Sequence, residues 1–392
     1  MYQQFSYEIE MLEIQYHLKP LSERLSRPLN QEMIERVARA KNIQLVNGKC
    51  LPFGKLHSDH MFLMLYSPEN GWHDAKIVPY GPIGKYIPIM PCSDEYTSRV
   101  FEGSKAFLHP DGELYTFRFD QNAARLNRSA KIVSKKIPTI PEEDQIAALH
   151  TLLDIDRLWY PQKEGASIYI RPKIVGLTDT CGVAVSKEFW FSICLFPSGS
   201  YFASGFDKPT PFLITKKEKR VPPTGIGKAK YAGNYGASLA AKDLAESFGA
   251  EQVLYLDPAN TFIEEAGSNN HYQVEKGKVL IPEFTPNILE SITSRSLLEL
   301  SNMGRLEISV VQESLPFEGF VDGTKSRRIT EAGGLGTAAG VAPGRYILEN
   351  GEPLVPVEDV GEVSRYLYKM LTGIQRGMIE APEGWLKKVE RA

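Results

Sequence analysis

Residues 225–236 read GIGKAKYAGNYG and combine two lysines, Lys228 and Lys230, with four glycines directly before a helical pattern. Glycine lets the backbone approach a ligand closely and adopt angles that other residues avoid. A lysine at the mouth of an apolar site can lose its proton and act as a nucleophile or form a Schiff base. The alternative is a flexible turn with two solvated lysines. The stretch is not a phosphate-binding P-loop, because it lacks the GxxxxGK[ST] pattern.

A second glycine-rich stretch, residues 333–340, reads GGLGTAAG. From Gly334 it formally matches the GxGxxA pattern of dinucleotide-binding folds, which needs a strand before it and a helix after it. The residues before it are polar, and a Pro-Gly pair soon after it would block a long helix. We therefore predict a turn whose backbone N–H groups and Thr337 hydroxyl bind an anion.

The overall composition is that of a globular protein. Of 392 residues, 42% are hydrophobic and 24% are charged, and the formal net charge is −3. This length suggests about two domains. The charge gives no basic footprint for nucleic acid, and no apolar run approaches the roughly 20 residues that a membrane-spanning helix needs. We expect neither a nucleic acid nor a membrane as a partner.

The cysteines and histidines give no sign of a disulfide framework or a metal site. Four scattered cysteines without a CxxC pair, and an N-terminus without a secretory signal pattern, favour reduced thiols and a cytoplasmic location. His57, Asp59 and His60 lie close together in the sequence, but alternation along a strand would separate them. We expect these histidines to be structural or exposed, and we expect no metal.

Hydrophobic periodicity and turn residues predict helices and strands without strict alternation, which favours an α+β or mixed α/β architecture. The predicted helices cover residues 31–41, 120–134 with Asp120 as the N-cap, 141–158, 234–248, 291–302 and 362–373. The predicted strands cover residues 59–66, 104–108, 113–117, 167–171, 189–195, 212–215, 252–256, 271–274 and 278–281. The charged residues 216–220 are interpreted as a solvated loop.

A run of Pro, Gly and Ser separates the two halves of this pattern. Residues 196–205 read FPSGSYFASG and lie between two apolar segments. We expect an interdomain linker at residues 197–207. It would join an N-terminal α/β domain, 1–196, to a C-terminal domain, 208–392. The N-terminal domain is the smaller of the two when its N-terminal extension at 1–50 is set aside.

Ten segments, in order along the chain, resemble the branched-chain amino acid aminotransferases, which are class IV, fold-type IV enzymes that use pyridoxal 5′-phosphate. The segments are PFGKLHSDHM, VFEGSKAF, FDQNAARLNRSAKI, ASIYIRPKIVG, FPSGSYFASG, GIGKAKYAGNYGASLAAK, VLYLD, FIEEAGSNNHY, ITSRS and GTAAGVAP. They cover the chain from about Leu51 to Trp385. The resemblance implies a two-domain fold, with the active site between the domains and pyridoxal 5′-phosphate bound by the larger C-terminal one.

The resemblance also implies a role for particular residues. Lys230, three residues before the Gly-Asn-Tyr-Gly of the motif, would be the catalytic lysine that bonds to the cofactor and moves the Cα proton. Glu265 would pair with the pyridine nitrogen, whose protonated ring is the electron sink. The other cofactor-binding residues would be Arg125 at the phosphate, Tyr235 near the phenolic oxygen, Leu289 against the ring, and Ile292, Thr293 and Thr337 at the phosphate.

The substrate pocket implied by the resemblance is apolar and is formed partly by Phe101, Tyr169 and a neighbouring subunit. Tyr96 and Arg171 are also at pocket positions of the family, and the α-carboxylate would bind near Thr337 and Ala338. The implied reaction is ping-pong transamination, through a Schiff base, between branched-chain L-amino acids and 2-oxoglutarate in a homodimer.

Two alternatives remain open at this stage. The first is another fold-type IV enzyme, a D-amino-acid transaminase or an aminodeoxychorismate lyase. The second is an inactive family member that serves as a binding module.

Overall fold

The structure is a computed structural model that describes residues 53–54, 56–82, 87–88, 90–161, 165–199, 206, 208–222 and 225–391. The helix predicted at residues 31–41 and most of the predicted linker lie outside these ranges. Within them, every helix is too short or too polar to span a bilayer.

The described chain contains two β-sheets with helices packed on them. The strands are β1 His60–Ser67, β2 Gly71–Pro79, β3 Arg99–Phe101, β4 Ser104–Leu108, β5 Leu114–Phe117, β6 Ser167–Gly176, β7 Phe189–Ser198, β8 Thr210–Thr215, β9 Gln252–Leu256, β10 Ile263–Ala266, β11 Asn269–Glu275, β12 Lys278–Pro282, β13 Ser309–Glu313, β14 Ile329–Gly336, β15 Gly340–Leu348, β16 Pro353–Leu354 and β17 Leu386–Lys388. The helices are α1 Cys92–Glu95, α2 Phe119–Val133, α3 Glu142–Ile155, α4 Ala232–Ser247, α5 Ile292–Asn302, α6 Phe317–Lys325 and α7 Glu362–Gln375, with a 3₁₀ turn at Arg157–Trp159.

The first sheet has the strand order β17-β5-β4-β6-β7-β1-β2, and β3 pairs with β6. One of its faces packs against α2 and α3, in a core that includes Phe62, Leu126, Leu149, Ile170 and Phe191. Strand β7 continues through Ser198, so the sheet includes the first two residues of the predicted linker. The last strand of the chain, β17, returns to this first sheet and pairs with β5.

The second sheet has the order β10-β9-β8-β15-β14-β11-β12-β13, with β16 on β15. Because β10 also pairs with β11, six strands form a closed ring of paired strands in the order β10-β9-β8-β15-β14-β11. Alternate residues of β8 face different cores: Phe212 and Ile214 join one, and Leu213 joins another that includes Ala241 and Ala245 of α4. This arrangement of helices with one antiparallel and one mixed sheet confirms the predicted α+β class.

The structure confirms the predicted apolar stripe of helix α2 but not its predicted N-cap residue. The helix begins at Phe119, and the N-cap position is Arg118, with φ of 49°. Arg118 donates hydrogen bonds to Ser296 at 3.0 Å and Glu299 at 2.9 Å, and its guanidinium lies 4.2 Å from the centre of the Trp385 ring. These contacts with distant segments fix Arg118 at the N-cap position, although local propensity favours Asp120 there.

The glycine-rich stretch 333–340 forms the end of strand β14, a short turn and the start of β15, rather than one turn. A Cβ atom at Gly333 would lie 2.1 Å from the Ala342 carbonyl oxygen, and one at Gly336 would lie 2.0 Å from Asn269 Oδ1. The strand therefore needs glycine for close packing. Because glycine is a poor strand former, the sequence pattern did not predict a strand here. No helix follows, so the dinucleotide alternative is wrong.

Candidate active site

A cavity of about 240 Å³ lies between the two sheets. The part of its wall that comes from the first sheet and α2 includes Phe101, Gly103, Arg125, Tyr169 and Arg171. The opposite wall includes Lys230, Tyr235, Glu265, Leu289, Thr337 and Ala338. The structure thus brings together most of the site residues predicted from sequence, although they are spread over more than 230 positions of the chain.

Lys230 lies at the junction of the sheets, directly before helix α4. Its backbone N–H donates to Ser129 Oγ at 2.9 Å, and its carbonyl accepts from the Phe101 N–H at 3.1 Å. Its Nζ donates to the Tyr235 hydroxyl at 3.0 Å. Lys228, by contrast, has an exposed side chain and does not line the cavity. The geometry therefore favours Lys230 as the reactive amine.

Glu265 is buried in β10 at the inner end of the cavity. One carboxylate oxygen accepts the Leu289 N–H at 2.6 Å, and the other lies 3.2 Å from Arg220 Nε. Burial raises the pKa of Glu265, and the Arg220 guanidinium opposes this rise. The adjacent Glu264 is directed elsewhere and accepts from Asn287 Nδ2 at 2.9 Å.

The position of Arg220 corrects the prediction of a solvated loop at residues 216–220. The guanidinium is buried, and its Nη2 donates to the carbonyls of Gly227 and Asn287 as well as lying near Glu265. Lys216 and Lys217 are exposed, as expected. Arg220 is therefore a link between the Lys230 segment and the Leu289 segment, and only the tertiary structure reveals it.

The first turn of α5 offers backbone donors beside the cavity. Ser291 is the N-cap, accepts from the Ser294 N–H and lines the cavity. Ile292 and Thr293 follow it, and their N–H groups have no partner within the helix because they belong to the first turn. A helix N-terminus favours an anion.

Asn270 of β11 holds this first turn of α5 in place. Its Nδ2 donates to the Leu289 carbonyl at 2.9 Å, and its Oδ1 accepts from Ser291 N at 3.2 Å and from the Ser294 hydroxyl at 3.0 Å. The asparagine thereby fixes both Leu289 and the helix start relative to Glu265.

The turn between β14 and β15 carries Thr337 and Ala338 on the cavity wall. The Ala338 carbonyl accepts a hydrogen bond of 2.6 Å from Lys105 Nζ, which reaches it from β4 of the first sheet. Burial, with the nearby Arg376 charge, lowers the pKa of Lys105 to about 7. An amine of the first sheet thus donates a hydrogen bond to the turn of the second sheet.

The remaining wall is aromatic with one cation. The guanidinium of Arg171 lies 4.6 Å from the centre of the Phe101 ring, and its Nη2 donates to the Tyr169 hydroxyl at 2.8 Å. Tyr96 lies outside this cavity, because its hydroxyl is hydrogen-bonded to the Cys181 carbonyl on a neighbouring loop.

Several residues at or beside the site were not assigned from sequence: Glu102, Lys105, Arg220, Asn269, Asn270 and Ser291. Glu102 and Lys105 are the two charged residues in the otherwise uncharged segment 100–108, and this contrast was a usable signal. The others lie in polar or loop-like segments where the sequence gives no such contrast.

Comparison with known proteins agrees with this geometry. The family model described as "Amino-transferase class IV" matches residues 99–345. The chain belongs to the class IV aminotransferases. This class IV aminotransferase is 38% identical over 346 residues to "Probable branched-chain-amino-acid aminotransferase" of Staphylococcus aureus (strain N315), covering 87% of this chain and 94% of the relative. It is 36% identical to "Branched-chain-amino-acid aminotransferase 2" of Bacillus subtilis (strain 168), covering 86% and 92%. The family resemblance expected from the sequence is confirmed.

Solved structures show the same fold. The branched-chain amino acid aminotransferase of Escherichia coli matches with a TM-score of 0.68 and 24% identity, over 85% of this chain and 100% of that one. The branched-chain amino acid aminotransferase of Thermobaculum terrenum, solved in its PLP form, matches with a TM-score of 0.67 and 20% identity, over 85% and 99%. The predicted fold-type IV architecture is confirmed, and the candidate cavity lies between its two sheets.

Proposed function

We propose that this class IV aminotransferase uses pyridoxal 5′-phosphate to transfer the amino group of branched-chain L-amino acids to 2-oxoglutarate. The observation that carries the proposal is the convergence of Lys230, Tyr235 and Glu265 on one cavity, opposite the aromatic wall of Phe101 and Tyr169. The relatives that are named for this activity support it.

The cavity has residues suited to both the phosphate and the ring nitrogen of this cofactor. For the phosphate there are Arg125, the hydroxyl and backbone of the Thr337 turn, and the first turn of α5, a donor set suited to an anion. For the ring nitrogen there is the buried carboxylate of Glu265. A Cβ at Gly103 on the cavity wall would lie 2.1 Å from the Tyr169 hydroxyl, so this wall has no room for a larger residue.

Each residue has a distinct task in this proposal. Pyridoxal 5′-phosphate, when bound, supplies an electron sink for the carbanion formed at Cα. Lys230 would take the proton from the substrate Cα onto Nζ and later give it up, which needs a primary amine that changes its proton occupancy. The Tyr235 hydroxyl, 3.0 Å from Nζ, orients that amine. The carboxylate of Glu265 would hold the ring nitrogen.

The aromatic wall indicates the substrate. Phe101 and Tyr169 offer an apolar surface for an aliphatic side chain, and the Thr337–Ala338 turn is suited to the α-carboxylate. Arg171 lies against the same wall and offers a cation for the side-chain carboxylate of glutamate. One cavity can therefore accept both partners of a ping-pong reaction.

The test is a single-turnover reaction of the holoenzyme with L-leucine and no acceptor. We expect about one equivalent of 4-methyl-2-oxopentanoate per active site, followed by release of L-leucine when the keto acid is added back. Lys230→Ala should abolish this turnover, whereas its matched control Lys228→Ala should retain it. Turnover of D-amino acids instead would favour the D-amino-acid transaminase alternative. No turnover with any amino acid would favour the binding module.

We also propose a cytoplasmic homodimer that has no nucleic acid or membrane as a partner. One observation supports a partner subunit: helix α4 exposes Leu239 at 67% of its surface, on a helix whose buried residues are Asn234, Ala241 and Ala245. Sedimentation equilibrium would test the dimer, and a mass of one chain at micromolar concentration would refute it. The division into domains 1–196 and 208–392 stays a prediction, to be tested by limited proteolysis.

A further inference from the structure

Glu102 is a fully buried carboxylate next to the candidate cofactor site, between β3 and β4. Its oxygens accept hydrogen bonds from Arg125 Nε at 2.7 Å and Nη2 at 2.9 Å. Oε2 also accepts from Asn122 Nδ2 at 2.7 Å and from the Gly103 N–H at 3.1 Å. Burial by itself would raise the pKa of Glu102, but the charge and hydrogen bonds of Arg125, together with Lys230 and Asn122, lower it below its usual value. The pair is therefore ionic.

The donors of Arg125 can be accounted for one by one. A guanidinium carries five N–H groups. Nε–H and one N–H of Nη2 bind Glu102, and one N–H of Nη1 binds the Glu290 carbonyl at 2.7 Å. One N–H on each terminal nitrogen remains. Arg125 is almost wholly buried, yet it lines the cavity, so these two donors are the ones left for a ligand.

We propose that Glu102 is a positioning residue for the cofactor phosphate: it binds the Nε side of Arg125 and so presents the two terminal donors to the phosphate. The inference rests on the proposed function, in which Arg125 binds the phosphate. Paired charge-assisted bonds of this kind depend on a fixed guanidinium plane.

A pure charge effect and a positioning effect predict opposite changes in phosphate binding when Glu102 is lost. If only net charge mattered, removing a carboxylate from beside Arg125 would leave the site more positive and would tighten phosphate binding. If Glu102 positions Arg125, the freed guanidinium can turn towards other acceptors, and phosphate binding weakens. The sign of the change therefore separates the two explanations.

The experiment compares two probes that differ only in the phosphate, pyridoxal 5′-phosphate and pyridoxal. Each is titrated into cofactor-stripped full-length protein by calorimetry. The ratio of the pyridoxal Kd to the pyridoxal 5′-phosphate Kd measures how much the phosphate contributes to binding. We expect Glu102→Gln to reduce this ratio at least about 10-fold, mainly by weakening pyridoxal 5′-phosphate binding. An unchanged or increased ratio would overturn the inference, because a merely structural defect would weaken both probes equally.

Three further variants make the outcome unambiguous. Arg125→Ala should reduce the ratio at least as much as Glu102→Gln; if it does not, the proposed phosphate role of Arg125 fails, independently of Glu102. Glu331→Gln removes a buried carboxylate far along the chain and should leave the ratio unchanged. If Glu102→Gln does not fold, Asn122→Ala decides, since it removes one hydrogen bond to Glu102 and one to the Gly103 carbonyl beside it. A reduced ratio supports the inference and an unchanged one overturns it.

Discussion

The unusual environment of Lys105 makes a quantitative prediction about stability and pH. Its pKa is lowered from 10.5 to about 7, chiefly by burial, in the folded protein. Between these two pH values the unfolded chain binds the proton and the folded chain does not. The free energy of unfolding therefore rises with pH in this window. Lys105→Met removes the titrating group, so the variant should lack this part of the rise.

The size of the effect follows from the shift. One pKa unit corresponds to about 1.36 kcal/mol, so between pH 7.5 and pH 9.5 Lys105 contributes at most about 2.7 kcal/mol. The side chain is partly exposed, and water screens its charge. We therefore expect a difference of about 1 to 2.7 kcal/mol between the pH responses of the wild type and Lys105→Met.

The assay is urea unfolding of cofactor-free protein at the two pH values, followed by both fluorescence and circular dichroism, whose coincidence supports a two-state transition. The exposed Lys136 supplies the control: Lys136→Met should respond to pH as the wild type does. If the wild type and Lys105→Met give parallel responses, the lowered pKa of Lys105 in the folded protein is refuted, whatever their absolute stabilities are.

Three further perturbations have expected outcomes. Glu265→Ala should still bind pyridoxal 5′-phosphate but lose roughly 100-fold or more in kcat, because the ring nitrogen loses its carboxylate; near-wild-type turnover would contradict this role. Burial lowers the pKa of His271 to about 3, so the folded protein loses stability as pH falls below about 6.5. His271→Phe should reduce that loss between pH 6.5 and 4.5 by up to about 2.7 kcal/mol in urea unfolding, and an unchanged acid response would exclude the histidine as its source. Glu331 accepts from the N–H groups of Val363 at 2.9 Å and Ser364 at 2.7 Å at the start of α7. Glu331→Ala should lower the free energy of unfolding by about 2–4 kcal/mol, and a change below about 0.5 kcal/mol would mean that these bonds contribute little.

Local patterns predicted the elements whose cause is local. The apolar stripe of α2 and the apolar run of β9 depend on side chains a few residues apart, and the helix after Lys230 begins near the predicted residue. Strands β14 and β15 were missed, because their glycines are required by the close approach of Tyr272, Asn269 and the neighbouring strand rather than by local preference.

The candidate site also combines residues that motif spacing predicted with residues whose position depends on tertiary contacts. Motif spacing selected Lys230 over Lys228 through the family resemblance, and the cavity contains Lys230 and not Lys228. Tyr96 was predicted to line the pocket but lies outside this cavity, because a contact with a distant loop determines where its hydroxyl points.

What the sequence determined by itself was the family, through its ordered motifs, and the α+β class. The same motifs predict the site residues Lys230, Tyr235 and Glu265, because they depend on the order of side chains along the chain. What only the tertiary structure decided was which polar groups come together: Glu102 with Arg125, Arg220 beside Glu265, and Lys105 at the Ala338 carbonyl. Each pairing joins segments that are 23 to 233 residues apart. The energy of such a pair depends on its distance and burial, which no local pattern encodes.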